Sequence, residues 1–279
     1  MRTTSGPDSA ALSNGTGRRR FATVTTCHAQ GYEAYGRAMV ESYLAHWPDD
    51  VPLLLYSEGF RCGVEDPRVV EHDLLEAAPD LAAFKARHRD HLLAHGRQLG
   101  HRPDIRLIPR EGQIRVRLRS PWGLGFRWEA VRFSHKIFAI LTAAVETDAD
   151  VLFWLDADSR FFADVTHAEL DALMPADCLL SYLRRKNISE CGFVGYNLRH
   201  PMVRSFLADF GAFYRYDLLF HEKEFHDSYL FDRLRRRYER AGARTFDIAV
   251  GAGLAHSHVM EHSRLARFME HLKGNRKHV

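Results

Sequence analysis

Four cysteines, Cys27, Cys62, Cys178 and Cys191, are too few and too scattered for a disulfide framework, and no CxxC pair offers a structural zinc site. No apolar run approaches the roughly 20 residues that span a bilayer, so no membrane span is expected. Net charge is nearly absent as well: 39 basic against 36 acidic residues leave +3, which gives no footprint for nucleic acid. Lysine is scarce, and almost all the basic residues are arginine, the residue that grips phosphates and carboxylates in a bidentate fork. A Gly-rich phosphate loop is missing after the first β-branched run, where TTCHAQGYEAYG stands instead, and this argues against a nucleotidyltransferase. The leader, residues 1–20, lacks core-forming side chains and reads as disordered, neither signal peptide nor anchor. Reduced thiols without a membrane span fit a cytoplasmic protein.

What is present is an ordinary globular composition, 46% hydrophobic over 279 residues, enough for one large α/β domain. From Phe21 the pattern changes: FATVTTC is a short β-branched run, AYGRAMVESYLAHW has helical spacing, and PLLLYSE is a second short apolar run. Strand, helix, strand is the opening of a parallel sheet. Residues 73–99 read as one or two surface helices, and the Arg-alternating and Trp/Gly-rich stretch up to about residue 125 as an insertion or irregular segment. Regular structure returns with the helix EAVRFSHKIFAILTAAVE, the strand VLFWL, the strand CGFVGYNL and two helices, HPMVRSFLADFGAFY and HDSYLFDRLRRRYERAG. With no repeats and no linker after residue 20, residues 21–279 form one domain.

Asp156 and Asp158 follow VLFWL directly, so two acids one residue apart stand where a buried strand leaves the sheet. Ligands bind at that carboxyl edge. Two carboxylates converging there suit a divalent cation that bridges a diphosphate, although Asp158 could equally cap the next turn.

With this pair and its neighbours in view, the chain resembles the GT-A glycosyltransferases, and among them family eight, which includes glycogenin and bacterial lipopolysaccharide galactosyltransferases. FATVTTC, WLDAD, ECGFVGYNL and HLKGNRK carry the resemblance, in the family's order. It implies a single GT-A (Rossmann-like) α/β domain whose mostly parallel central sheet is flanked by helices. It also implies transfer of a sugar from a nucleoside-diphosphate sugar, a UDP-sugar, with Mn²⁺ or Mg²⁺ held by Asp156, Asp158 and His271. His271, Gly274 and Lys277 match the family's HxxGxxK pattern, in which the Lys reaches the donor diphosphate. His256, His258 and His262 are rival ligands, and the Pro-Trp that usually follows the Lys is replaced by His278-Val279.

Gly192 falls in the strand that lines the family's donor-sugar pocket, preceded by Glu190 where the family has Asn, which leaves the donor sugar open. Lys136 stands where relatives carry a basic residue near the nucleotide phosphates, and Thr25 and Thr26 where they contact base and ribose. His226-Asp227-Ser228-Tyr229-Leu230 resembles the D-Q-D-x-L of family eight and the H-D-E-S-H-L of the blood-group transferases, both retaining. By that likeness Asp227 faces the anomeric carbon, a role compatible with capping the helix. In a retaining front-face reaction the acceptor hydroxyl could lose its proton to a leaving-group phosphate oxygen, and in an inverting one to Glu190, Glu224 or Asp227. The acceptor itself, a glycan, a lipid-linked sugar or a small molecule, is not legible. Two other classes stand beside this reading: an inactive GT-A scaffold that binds a nucleotide sugar or a partner, and a DxD phosphatase, whose motif normally opens its domain.

Overall fold

Short apolar strands alternate along the chain with helices that cover them. In the computed structural model, which describes residues 17–97, 104–110, 113–119, 125–256 and 258–272, β1 (Phe21–His28) leads through a π turn (Tyr32–Gly36) into α1 (Arg37–His46). The chain returns as β2 (Leu53–Glu58) and β3 (Val69–Asp73). After α2 (Pro79–Arg87) come β4 (Asp104–Arg110) and β5 (Gln113–Arg119), then the long α3 (Ala130–Glu146). The second half runs β6 (Val151–Leu155), β7 (Ser159–Phe161), α4 (His167–Leu173), β8 (Leu180–Leu183) and β9 (Glu190–Asn197). It closes with α5 (Val203–Arg215), α6 (Asp227–Arg240), β10 (Thr245–Asp247) and β11 (Met269–His271).

Seven strands form one sheet in the order β10-β8-β9-β6-β1-β2-β3. All pairings are parallel except those of β9, which runs antiparallel to both β6 and β8. Alternate residues feed two cores. Leu152 and Trp154 of β6 join Ile137 and Phe138 of α3 and Phe206 and Phe210 of α5 on one face. Val151, Phe153 and Leu155 join Met39 and Tyr43 of α1 and Leu170 and Leu173 of α4 on the other. Because both faces are covered, VLFWL is apolar without a break. Each of these large side chains contributes about 1.5–3 kcal/mol by leaving water. Among the described residues no helix is long and apolar enough to cross a membrane.

Two boundaries expected from the sequence shift. The segment 73–125 is not wholly irregular: besides the helices anticipated before residue 99, β4 and β5 form an antiparallel ladder from Asp104↔Arg119 to Arg110↔Gln113. At the amino end, Arg19 and Arg20 already belong to the domain. Arg19 donates to Asp171 at 2.7 Å and to the Met174 carbonyl at 2.6 Å. The Arg20 amide donates to the Asp150 carboxylate at 2.9 Å, and its carbonyl accepts from the Asp150 amide at 2.8 Å. Deletion through Arg20 is therefore expected to melt several degrees below deletion of residues 1–16, because Asp150 is buried and loses its backbone partners. Paired thermal melts check this, and equal melting of the two truncations would show that Arg19 and Arg20 contribute nothing.

Candidate functional site

β6 is central and ends at Leu155, so the next residues emerge at the carboxyl edge of the sheet. The chain then turns, with the Ser159 amide bonded to the Asp156 carbonyl at 3.0 Å, and enters β7. β7 pairs antiparallel with β11, placing His271 opposite Ser159, and the Leu272 amide bonds the Asp158 carbonyl at 2.8 Å. This small ribbon delivers the imidazole to the carboxylates. His271 Nε2 lies 2.8 Å from Asp158 Oδ1 and 3.7 Å from Asp156 Oδ2. One ligand atom from each of the three residues falls within 4.8 Å of the others, and Asp158 and His271 are buried.

Two carboxylate oxygens and an imidazole nitrogen are a donor set suited to Mg²⁺ or Mn²⁺, and three protein ligands leave positions open for phosphate oxygens. Burial pulls His271 toward its neutral form, but the hydrogen bond to Asp158 and the charges of Asp156, Asp158 and Glu190 outweigh it, so its pKa stands above the ordinary value. Of the four histidines weighed as ligands, only His271 joins the carboxylates; His256 and His262 stack on each other with centroids 3.7 Å apart.

Asp156 is aimed by two donors on its Oδ1: the Trp154 indole at 2.7 Å and Lys136 Nζ at 3.1 Å. Lys136, on α3, also reaches Asp227 Oδ2 at 2.7 Å and the Cys191 carbonyl at 2.5 Å, and lies 4.8 Å above the Trp154 ring. Burial opposes charge on both partners, yet their attraction wins: the Lys136 pKa is raised, by Asp156 and Asp227, and that of Asp227 is lowered, chiefly by Lys136. The residue capping α6 is His226, so Asp227 is the first helical residue and not the cap.

Because β9 is antiparallel, its first residues, Glu190 to Gly192, lie beside the end of β6. Glu190 is paired to Arg185 at 3.0 Å and stands 4.0 Å from His271 Nδ1. The Gly192 carbonyl accepts from the Asp156 amide at 2.9 Å. A Cβ there would come within 3.0 Å of the His271 ring and 3.3 Å of Asp156 Oδ2. Gly192→Ala is accordingly expected to weaken metal-dependent nucleoside-diphosphate binding about 10-fold, as disturbed ligand orientation does, with little change in melting temperature. Titration calorimetry decides it, and an unchanged affinity would mean that the ligands move aside without loss.

Asp156, Asp158, Lys136, Asp227, Glu190 and Gly192 face a cleft of about 740 Å³. Thr26 lines it, with its hydroxyl donated to the Tyr56 carbonyl at 2.7 Å. Thr25, expected beside it, is fully buried and outside the cleft wall, since successive strand residues point to opposite faces. Gly274 and Lys277 lie outside the described residues. Other wall residues escaped the sequence reading, notably Arg185 and Lys186 in the β8–β9 loop and Trp154, which reads simply as strand core. The run RRKN after β8 was the available signal.

A sheet of this order, with one antiparallel strand beside the strand that presents the acid pair, is the GT-A glycosyltransferase fold. Among solved structures, the apo WbbM bifunctional glycosyltransferase aligns over 94% of this chain with a TM-score of 0.52 and 12% identity. The match takes in 47% of that protein, so the chain spans about half its length. The apo glycosyltransferase GlyE of Streptococcus pneumoniae aligns over 92% of this chain and 55% of its own (TM-score 0.45, 10% identity). The galactosyltransferase LgtC, in complex with donor and acceptor sugar analogs, aligns over 73% and 67% (TM-score 0.38, 14% identity). No family model matches the sequence, and no curated protein matches it.

Proposed function

We propose that this chain is a metal-dependent glycosyltransferase that moves a sugar from a UDP-sugar to an acceptor hydroxyl, with retention at the anomeric carbon. The observation that carries the reading is the Asp156–Asp158–His271 group, whose two carboxylates share one cleft at the carboxyl edge of the sheet with the Lys136–Asp227 pair. Bound there, Mn²⁺ or Mg²⁺ would neutralise charge on the departing diphosphate. Lys136 orients Asp156 and adds positive potential in the same place. Asp227, charged and almost buried, is the carboxylate available to face developing positive charge on the sugar. Lys277 and Gly274 keep the donor-side roles that the resemblance implies, and Glu190 remains a candidate catalytic carboxylate. The four cysteines are unpaired, in keeping with a cytoplasmic setting.

The test is a panel of nucleotide sugars incubated with the full chain and Mn²⁺, read as slow donor hydrolysis. A UDP-sugar should be hydrolysed with metal and spared in EDTA. Cleavage of simple phosphomonoesters with no attack on any nucleotide sugar would overturn the reading in favour of a phosphatase. Metal-dependent binding of UDP without turnover would indicate a scaffold.

A further inference from the structure

Glu224 and His226 sit two residues apart in the extended segment that enters α6, so their side chains share a side while Phe225 between them is buried in the core. The segment is pinned to the turn before α3: the amides of Phe225 and His226 bond the Arg127 carbonyl at 2.8 and 3.1 Å. Arg127 closes the loop by donating to Glu224 Oε1 at 3.0 Å. The other oxygen, Oε2, is 2.9 Å from His226 Nε2. Both Glu224 and His226 are buried, and all three residues line the cleft that holds the acid pair.

A carboxylate accepts hydrogen bonds and does not donate them, so Nε2 carries the ring proton and the neutral imidazole keeps its lone pair on Nδ1. Among the described residues Nδ1 has no hydrogen-bond partner. Phe126 and Phe133 stand against the ring, with centroids at 5.9 and 6.0 Å, and limit the water around it. The charged groups that share the cleft wall with it include Glu224 on its own segment, Arg127 from the preceding turn, Asp227 at the head of α6, Lys136 and Arg132 from α3, Asp156 and Asp158 after β6, Arg185 and Lys186 in the β8–β9 loop, and Glu190 at the start of β9. Three other bases facing the cleft are engaged. Asp227 is held by Lys136 and Glu190 by Arg185. His135 spends Nδ1 on the Val131 carbonyl at 2.9 Å and Nε2 on Glu58 at 2.6 Å.

We propose that His226 Nδ1 is the general base that removes the acceptor proton, with Glu224 as the positioning residue that fixes its tautomer and Arg127 holding Glu224. The proposal rests on the glycosyl-transfer reading. The acceptor O–H proton passes to Nδ1 as its oxygen bonds to the anomeric carbon. The bond from that carbon to the diphosphate breaks, and the diphosphate leaves with the electron pair. The imidazolium faces Glu224 and afterwards returns its proton to water. In this route His226 takes the place of the leaving phosphate as proton acceptor, and the face from which the acceptor attacks, not the proton transfer, sets the anomeric outcome, which is read separately from the product.

The experiment uses the full chain with Mn²⁺ and UDP-glucose or UDP-galactose, water serving as the acceptor. His226→Ala should lower kcat for donor hydrolysis by a factor on the order of 10² to 10³ and remove the acidic limb of the kcat–pH profile, with UDP affinity unchanged. Added imidazole should restore part of the rate. Glu224→Gln, which keeps a side chain of the same shape, should lower kcat and displace that limb, an effect a merely structural contact would not have. His226→Ala that binds UDP normally yet retains both rate and pH profile would overturn the proposal and leave glycosyl transfer standing. A wild-type chain with no metal-dependent turnover of any nucleotide sugar would remove both.

Discussion

Asp158→Asn and His271→Ala are each expected to abolish metal-dependent binding of UDP, a loss on the order of 10²-fold or more, because on the proposed reading each impairs one of three ligands of a single cation. Changes to groups that merely orient ligands already cost about 10- to 100-fold, so a lost ligand should cost at least that much. The fold should survive. The ribbon that carries both residues is held by backbone bonds, among them Leu272 to the Asp158 carbonyl at 2.8 Å, and neither substitution touches them. What disappears is the 2.8 Å side-chain hydrogen bond, worth about 1 kcal/mol, or a few degrees of melting temperature. Calorimetric titration of UDP into each variant with Mn²⁺ and again in EDTA separates the effects. Wild-type binding that is equally tight in EDTA would mean that the group holds no cation. A variant that melts far below wild type would mean that the contact is a structural clasp first.

The sequence made local structure legible and long-range geometry much less so. β1, α1, β2, α3, β6, α5 and α6 each carry their own periodicity, and α6 stops near Gly242, whose φ is 95°. The direction of β9 is another matter. A strand buried on both faces shows the same apolar run whether its neighbour is parallel or antiparallel, yet its direction is what brings Gly192 to Asp156. His271 was reached through the family's motif; the sequence holds no local sign of the β7–β11 ribbon that joins it to Asp158 across 113 positions. The Glu224–His226 contact is short in sequence and was still missed, because the side chains meet only once Arg127 fixes the backbone between them. Lys136 and Asp227 were each singled out, separately. Their pairing depends on how α3 and α6 pack over the same sheet face, which neither helix encodes alone.

That pairing makes Lys136→Met and Asp227→Asn the most informative substitutions on this chain. Lys136→Met leaves Asp156 and Asp227 in a poorly hydrated wall without their shared cation. Breaking a buried pair in this way costs about 3–5 kcal/mol. At about 2–4 °C per kcal/mol for a domain of this size, melting should fall by roughly 10 °C. The deficit has a defined pH window. Asp227, lowered in the fold, contributes above the ordinary carboxylate pKa and loses that contribution as pH falls through its depressed value. Lys136, raised in the fold, contributes below the ordinary lysine pKa and loses it as pH rises through its elevated value. Wild type and Lys136→Met should therefore differ most in the neutral range, between the ordinary carboxylate and lysine pKa values, and converge in acid. Asp227→Asn is milder for stability, since Lys136 keeps Asp156 at 3.1 Å and the Cys191 carbonyl at 2.5 Å. For turnover it should be the more telling change. If Asp227 faces positive charge at the anomeric carbon, its loss should lower kcat by a factor on the order of 10² to 10³ with UDP affinity nearly unchanged. The double variant discriminates: removing both partners should recover part of the stability lost in Lys136→Met, since no unpaired Asp227 remains, and none of the rate. Should Asp227→Asn turn over donor almost as fast as wild type, Asp227 would be the counter-ion of Lys136 and nothing more, and the carboxylate facing the sugar would have to be sought elsewhere in the cleft.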